Sequence, residues 1–330
     1  MQKIPVTLLT GFLGSGKTTL LSKLLPDPAL ARTVVIINEF GAISIDHLIV
    51  ANLTENIIEL RNGCLCCTIR GDLVMTLRDL YRQRQLGEIQ QFDRVIVETS
   101  GLADPVPLLH TLMTNPPLMQ VFELDALLTV VDALNAVATL PAHQTATDQI
   151  AMADIVVLSK RDLATTAEWQ ATQALIDEIN PGALRLEAVD GNVAAQQILG
   201  VRVFNPAARL AAIGTWMGEH GSHDHDHHGT RYASHVIVHS GAISLAGLSV
   251  FLNRLVNEQR DNILRIKGLA VFRGKGDKPA VIHAVQNKFY PLQWLSETTP
   301  TGDPQCKLVF IGRALDVQRI DREFAALCLE

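Results

Sequence analysis

From residue 1 to about 200, short unbroken runs of Val, Ile and Leu alternate with longer stretches that mix apolar and polar residues. The unbroken runs are Val6–Thr10, Thr33–Asn38, Ile57–Leu60, Arg94–Glu98, Ala126–Asp132, Ile155–Ser159 and Leu184–Ala188. They lack the in–out alternation of a strand with one wet face, so they read as parallel strands buried on both faces. Helix-competent stretches lie between them at Thr18–Leu25, Gly71–Leu86, Pro105–Thr114 and Ala167–Ile179. This alternation predicts a three-layer α/β domain with a mostly parallel sheet, whose ligands bind at the carboxyl ends of the strands.

The pattern changes after residue 200. His220–Gly229 holds five histidines and two aspartates and no apolar residue, so it reads as a linker, taken as 201–230. Beyond it, Ser234–His239, a helical stretch at Ser244–Glu258, the runs Leu264–Phe272, Ala280–Val285 and Lys307–Gly312, and an amphipathic stretch Asp316–Leu327 follow in order. They predict a small α+β domain over 231–330, a sheet with two helices on one face.

The chemistry gathers where strands end. Gly11-Phe-Leu-Gly-Ser-Gly-Lys-Thr18 follows the first strand and opens the first helix, in the form G-x-x-x-x-G-K-T. Such a loop wraps phosphates with backbone N–H groups at a helix N-terminus. Gly11, Gly14, Ser15, Gly16 and Thr19 belong to this cradle. Lys17 reaches the terminal phosphates, and the Thr18 hydroxyl is placed for Mg²⁺. Glu98-Thr-Ser-Gly101 ends the fourth run, where phosphate-loop hydrolases carry an acid near Mg²⁺ and the γ-phosphate; glycine at 101 lets a backbone N–H approach that phosphate. Asn38-Glu-Phe-Gly41, with Asp46 beyond, reads as a switch segment in which Glu39 ligates a metal or orients water. Ser159-Lys-Arg-Asp162 has the spacing with which GTPases read guanine. Asp162 would accept from the base's N1–H and exocyclic amine, and the stem of Lys160 would pack on the ring. Serine stands at 159 where Asn or Thr is commoner.

Composition adds a metal and narrows the partners. The chain has 330 residues, 48% hydrophobic, with a net charge of −6. No global basic signal favours nucleic acid or an anionic membrane, and no apolar run approaches the ~20 residues of a span. The first strand begins without a charged leader, and the cytoplasm is the expected compartment. Of five cysteines, three stand together as Cys64-Leu-Cys66-Cys67. In a cytosolic chain this cluster reads as a thiolate site for Zn²⁺, its acidity favoured by Arg61, Arg70 and a helix start. Three thiolates leave a position for Glu39, a histidine, water or a recipient protein, which suits transfer. His223, His225, His227 and His228 add weak auxiliary ligands.

The stretches Gly11–Thr19, Asn38–Gly41, Asn62–Cys67 and Glu98–Pro105 together resemble the CobW-like family of phosphate-loop GTPases, and Arg265–Gly268 with Leu308–Arg313 resemble that family's C-terminal domain. The resemblance implies a GTPase domain over 1–200, and a metallochaperone of low intrinsic turnover. GTP, Mg²⁺ and Zn²⁺ are its implied ligands, with Lys17, Glu39 and Glu98 in catalytic roles. A client metalloprotein is the implied partner, with a homo-oligomer left open. Cobalt delivery for cobalamin assembly and a nucleotide-regulated metal buffer are the alternatives.

Overall fold

The computed structural model describes residues 3–38, 57–59, 67–199, 232–259, 262–295 and 306–329. Elements are numbered among these residues. The chain divides into two compact units, Met1–Gln173 with Leu184–Phe204, and Ala174–Ala183 with Asn205–Glu330.

In the first unit, β1 (Ile4–Thr10), β2 (Thr33–Asn38), β3 (Ile57–Glu59), β4 (Arg94–Thr99), β5 (Phe122–Asp132), β6 (Ile155–Ser159) and β7 (Leu184–Glu187) form one sheet. Its order is β3-β2-β4-β1-β5-β6-β7, and every pairing is parallel. β1 and β6 are buried at every position, as their unbroken apolar runs require. The helices are α1 (Lys17–Leu24), α2 (Cys67–Leu86), α3 (Val106–Thr114), α4 (Pro116–Val121), α5 (Ala136–Ala142), α6 (Gln144–Met152), α7 (Thr166–Ile179), whose residues from Ala174 on are counted with the second unit, and α8 (Ala195–Leu199). Connections from β1 fill the sheet first on one side, to β2 and β3, and then on the other, to β5, β6 and β7. This reversal leaves a crevice at the carboxyl ends of the strands beside β1.

Some bounds differ from the sequence reading, with local causes. α2 begins at Cys67 rather than Gly71. α4, α5 and α6 were not anticipated. α4 is a short helix opened by two prolines and capped by Asn115, whose Oδ1 accepts from Leu118 N at 3.2 Å. α5 carries Pro141 within it. β5 begins at Phe122 rather than Ala126, because the charges that interrupt its apolar pattern are accommodated. Asp125, at a register shift between β1 and β5, accepts from Arg94 Nη1 at 2.6 Å and from Thr7 Oγ1 at 3.2 Å.

That ion pair is nearly closed to water, with 11% of the Arg94 side chain and 1% of that of Asp125 exposed. Removing one partner strands a buried charge. Asp125→Ala is therefore expected to cost roughly 3–5 kcal/mol in urea unfolding, whereas Arg94→Met combined with Asp125→Leu should cost much less. Equal costs would mean that the charge pairing is incidental.

The second unit is built on β8 (Tyr232–His239), β9 (Ile263–Ala270), β10 (Ala280–Val285), β11 (Lys288–Phe289), β12 (Gln293–Trp294) and β13 (Cys306–Arg313). The antiparallel order is β11-β10-β9-β13-β8, with β12 also on β10. α9 (Leu245–Glu258) and α10 (Val317–Cys328) share one core with alternate positions of the sheet, including Ile266, Ala270, Ile282, Leu308 and Phe310. This is the anticipated pair of helices on one face. Phe251 sits edge-on to Phe310 and Phe324 at centroid distances of 6.0 and 5.8 Å. β11 and β12 are too short to leave a periodic signal and were not anticipated. Residues 174–183, counted from sequence with the first domain, pack with the second unit, where buried Lys267 donates to the Gly182 carbonyl at 3.1 Å.

Candidate nucleotide site

The loop between β1 and α1 has the backbone its sequence demands. Gly11 takes φ 144°, and a Cβ there would lie 2.4 Å from the Val130 carbonyl oxygen on β5. Gly14 and Gly16 also have positive φ, and Gly16 turns the chain into α1. Lys17 folds over this loop, its Nζ donating to the carbonyls of Gly11 at 2.8 Å and Phe12 at 3.3 Å. Thr18 Oγ1 donates to Glu98 Oε1 at 3.0 Å, so the first turn of α1 meets the end of β4. Glu98 is buried. Gly101 is pressed against the loop, where a Cβ would stand 2.7 Å from Leu13 N.

Thr18 and Glu98 suit Mg²⁺. A hydroxyl and a carboxylate are hard oxygen donors, and 3.0 Å matches the edge of an octahedron whose metal–oxygen distance is about 2.1 Å.

The carboxyl end of β6 is tied to the same loop. Ser159 Oγ lies 2.6 Å from the Ser15 carbonyl oxygen and 3.2 Å from that of Val131. A hydroxyl at 159 is thus enough to join this turn to the phosphate loop. Lys160, at φ 57°, directs its ammonium to Asp132 Oδ2 at 2.7 Å. Asp162 is exposed in the turn that follows, and Thr19 is exposed on α1. The loop after β7 closes on Thr19: a Cβ on Gly191 would lie 3.0 Å from its Cγ2.

Asp132 was not singled out from sequence. Burial pushes its carboxyl pKa upward, but hydrogen bonds from Asn135 and Lys160, the Lys160 charge and the Leu134 N–H together hold it below the ordinary carboxylate value. It therefore stays ionised and keeps the Lys160 ammonium engaged. Its signal in the sequence was only an acid at a strand's carboxyl end. A cavity of about 310 Å³ borders the loop along Phe12–Ser15, with Asp132, Thr139, Ile150 and Lys160 on its other walls. Phe12 itself stacks on His143, with centroids 4.7 Å apart. Lys17, Thr18, Glu98 and Asp162 do not line this cavity.

Glu39, Cys64, Cys66, His223, His225, His227 and His228 lie outside the described residues, as do Gly41, Asp46 and Arg61. Cys67 is the first residue of α2. Among the described residues no three His, Cys, Asp or Glu side chains are grouped to hold a metal. Cys306 and Cys328 are buried in the second unit. Burial lifts both thiols to about 12, helped at Cys306 by its neighbour Cys328, so they remain protonated and are poor ligands at neutral pH. No helix of the described residues is long and apolar enough to cross a membrane.

Comparison with known proteins accounts for both units. The model of the CobW/HypB/UreG nucleotide-binding domain matches residues 5–186, and that of the cobalamin synthesis protein CobW C-terminal domain matches residues 232–328. The chain is 32% identical to the zinc chaperone YjiA of Escherichia coli, over 99% of each chain. It is 32% identical to the zinc chaperone CobW of Pseudomonas aeruginosa, over 96% of this chain and 89% of that one. The crystal structure of Zn(II)-bound YjiA GTPase from E. coli superposes with a TM-score of 0.72 at 28% identity, covering 99% of both chains.

Proposed function

We infer function from one premise: the chain belongs to the CobW/HypB/UreG family. We propose that it is a GTPase of low intrinsic turnover that binds Zn²⁺ through Cys64, Cys66 and Cys67, with Glu39 as a further ligand, and transfers it to a client protein. The observation that carries the nucleotide half is the meeting of Thr18 with Glu98 under a loop crossed by Lys17. The zinc half is supported by full-length kinship with proteins named zinc chaperones.

The chain's own groups divide the work. The backbone of Gly11–Thr18 holds the phosphates, and Lys17 moves from its own carbonyls to the β- and γ-phosphate oxygens. Thr18 and Glu98 are the side chains that would hold Mg²⁺, which supplies neutralisation of charge on the transferring phosphoryl group. Gly101 brings a backbone N–H toward the γ-phosphate. Asp162 accepts from guanine, and the Lys160 stem, steadied by Asp132, covers the base. Glu39 joins the zinc ligands. GTP orders the Glu39 and Cys64–Cys67 segments, and hydrolysis releases them.

The base assignment is tested by exchanging the acceptor. Wild type should bind GTP more tightly than ATP. Asp162→Asn should weaken GTP at least about tenfold, the scale of hydrogen bonds to a charged group, and improve xanthosine triphosphate, whose pattern at that edge is complementary. The readout is competition against a fluorescent nucleotide. A wild type preferring ATP would overturn the guanine reading.

A further inference from the structure

Gln149, on α6, has no part in the roles assigned above, yet it is completely buried. Its Nε2 donates to two carbonyls of the loop beyond β4, that of Gly101 at 3.3 Å and that of Ala103 at 3.1 Å. Its own backbone carbonyl accepts from Thr129 Oγ1 on β5 at 2.9 Å. Its Oε1 is buried with no hydrogen-bond partner among the described residues. Turning the amide over would face Oε1 toward two carbonyl oxygens, so the contacts determine its orientation. A half-satisfied buried amide is costly, and its neighbours Ala146, Ile150 and Met152 on α6 are all buried and apolar or nearly so. A methionine would pack there without an unmatched acceptor. The amide is therefore explained by the segment it grips.

On the GTPase reading, that segment forms one wall of the terminal-phosphate site. Gly101 follows Glu98 and lies so close to Leu13 that no side chain fits. The same helix is tied to the opposite wall, because His143, the residue just before α6, stacks on Phe12 of the phosphate loop. α6 thus grips the loop on one side and the 101–103 segment on the other.

We propose that Gln149 is a positioning residue for the γ-phosphate: its amide holds residues 101–103 against the phosphate loop, so that the site distinguishes a nucleoside triphosphate from a diphosphate. This rests on the GTPase reading. A diphosphate does not reach the Gly101 peptide, so its affinity should not depend on Gln149.

The test is Q149M, which keeps the length and removes the donor. Affinities for a non-hydrolysable GTP analogue and for GDP are measured together with single-turnover hydrolysis. Analogue affinity and hydrolysis rate should each fall about tenfold, the scale of one or two lost neutral hydrogen bonds, with GDP affinity unchanged. Equal weakening of both nucleotides would assign Gln149 a packing role only and overturn the proposal, as would no change in either. If Q149M does not fold, Q149N keeps an amide but withdraws it by one methylene and should show the same split. A wild type that binds and hydrolyses no GTP removes the functional reading, and the proposal with it; a hydrolysing wild type with an unresponsive Gln149 variant removes the proposal alone.

Discussion

Lys17→Ala should abolish measurable GTP hydrolysis while leaving the protein folded. The ammonium of Lys17 is held by two carbonyls of its own loop, at 2.8 and 3.3 Å, and the residue is only half-buried. Removing it takes this donor from the carbonyls of buried Gly11 and half-buried Phe12, so the expected stability loss is about 1–3 kcal/mol. Catalysis is affected differently. Charge develops on the phosphoryl oxygens in the transition state, and a preorganised donor lost from such a site costs about a hundred- to a thousandfold in rate. Lys17→Arg should not rescue, because a planar guanidinium cannot follow the path of an ammonium through a loop this tight. Phosphate release under single-turnover conditions measures the rate, and thermal unfolding measures the fold. Hydrolysis within tenfold of wild type in Lys17→Ala would mean that the phosphates lie elsewhere.

How much of this was legible in the sequence depended on range. β2, β6 and β10 have the bounds that their apolar runs suggested, because burial on both faces leaves an unbroken signal. The phosphate loop was legible because its geometry is local and depends on glycine. β5 was read short because the charge of Asp125 is neutralised by Arg94 from another strand, which no local pattern reveals. The side-chain contacts around the candidate site that no local pattern reveals are also long-range. Asp132 reaches Lys160 across 28 positions, and Gln149 reaches Gly101 across 48. In a linear reading Gln149 is one polar residue on a short helix and Asp132 one acid at a strand end. Each acquires meaning only when the parallel sheet brings the carboxyl ends of β1, β4, β5 and β6 together. Ser159 shows the converse: the residue departs from the commoner types, yet its hydroxyl makes the connection to the loop.

Nucleotide state and zinc affinity should be coupled through Cys64–Cys67, and this is the expectation on which the chaperone mechanism stands. The sheet gives the coupling a short route. β2 lies between β3 and β4, with Ile37 opposite both Glu59 and Glu98. β2 and β3 therefore end at the same edge of the sheet where Glu98 approaches Thr18, and Glu39 and Cys64 follow them in sequence. A γ-phosphate bound at that edge would act on segments that follow adjacent strand ends in the sequence. Couplings between sites are typically about 1–3 kcal/mol, or roughly 5–150-fold in affinity. GTP analogue should tighten Zn²⁺ relative to GDP by a factor in that range. Linkage then requires Zn²⁺ to favour the analogue over GDP by the same factor. Cys66→Ser should lower zinc affinity and erase the mutual effect, while metal-free GTP binding stays as in wild type. The measurement is a closed cycle of zinc and nucleotide affinities in both proteins, with competing chelators of known strength. Equal zinc affinities in the two nucleotide states of the wild type would separate hydrolysis from metal delivery, and the transfer mechanism would fall.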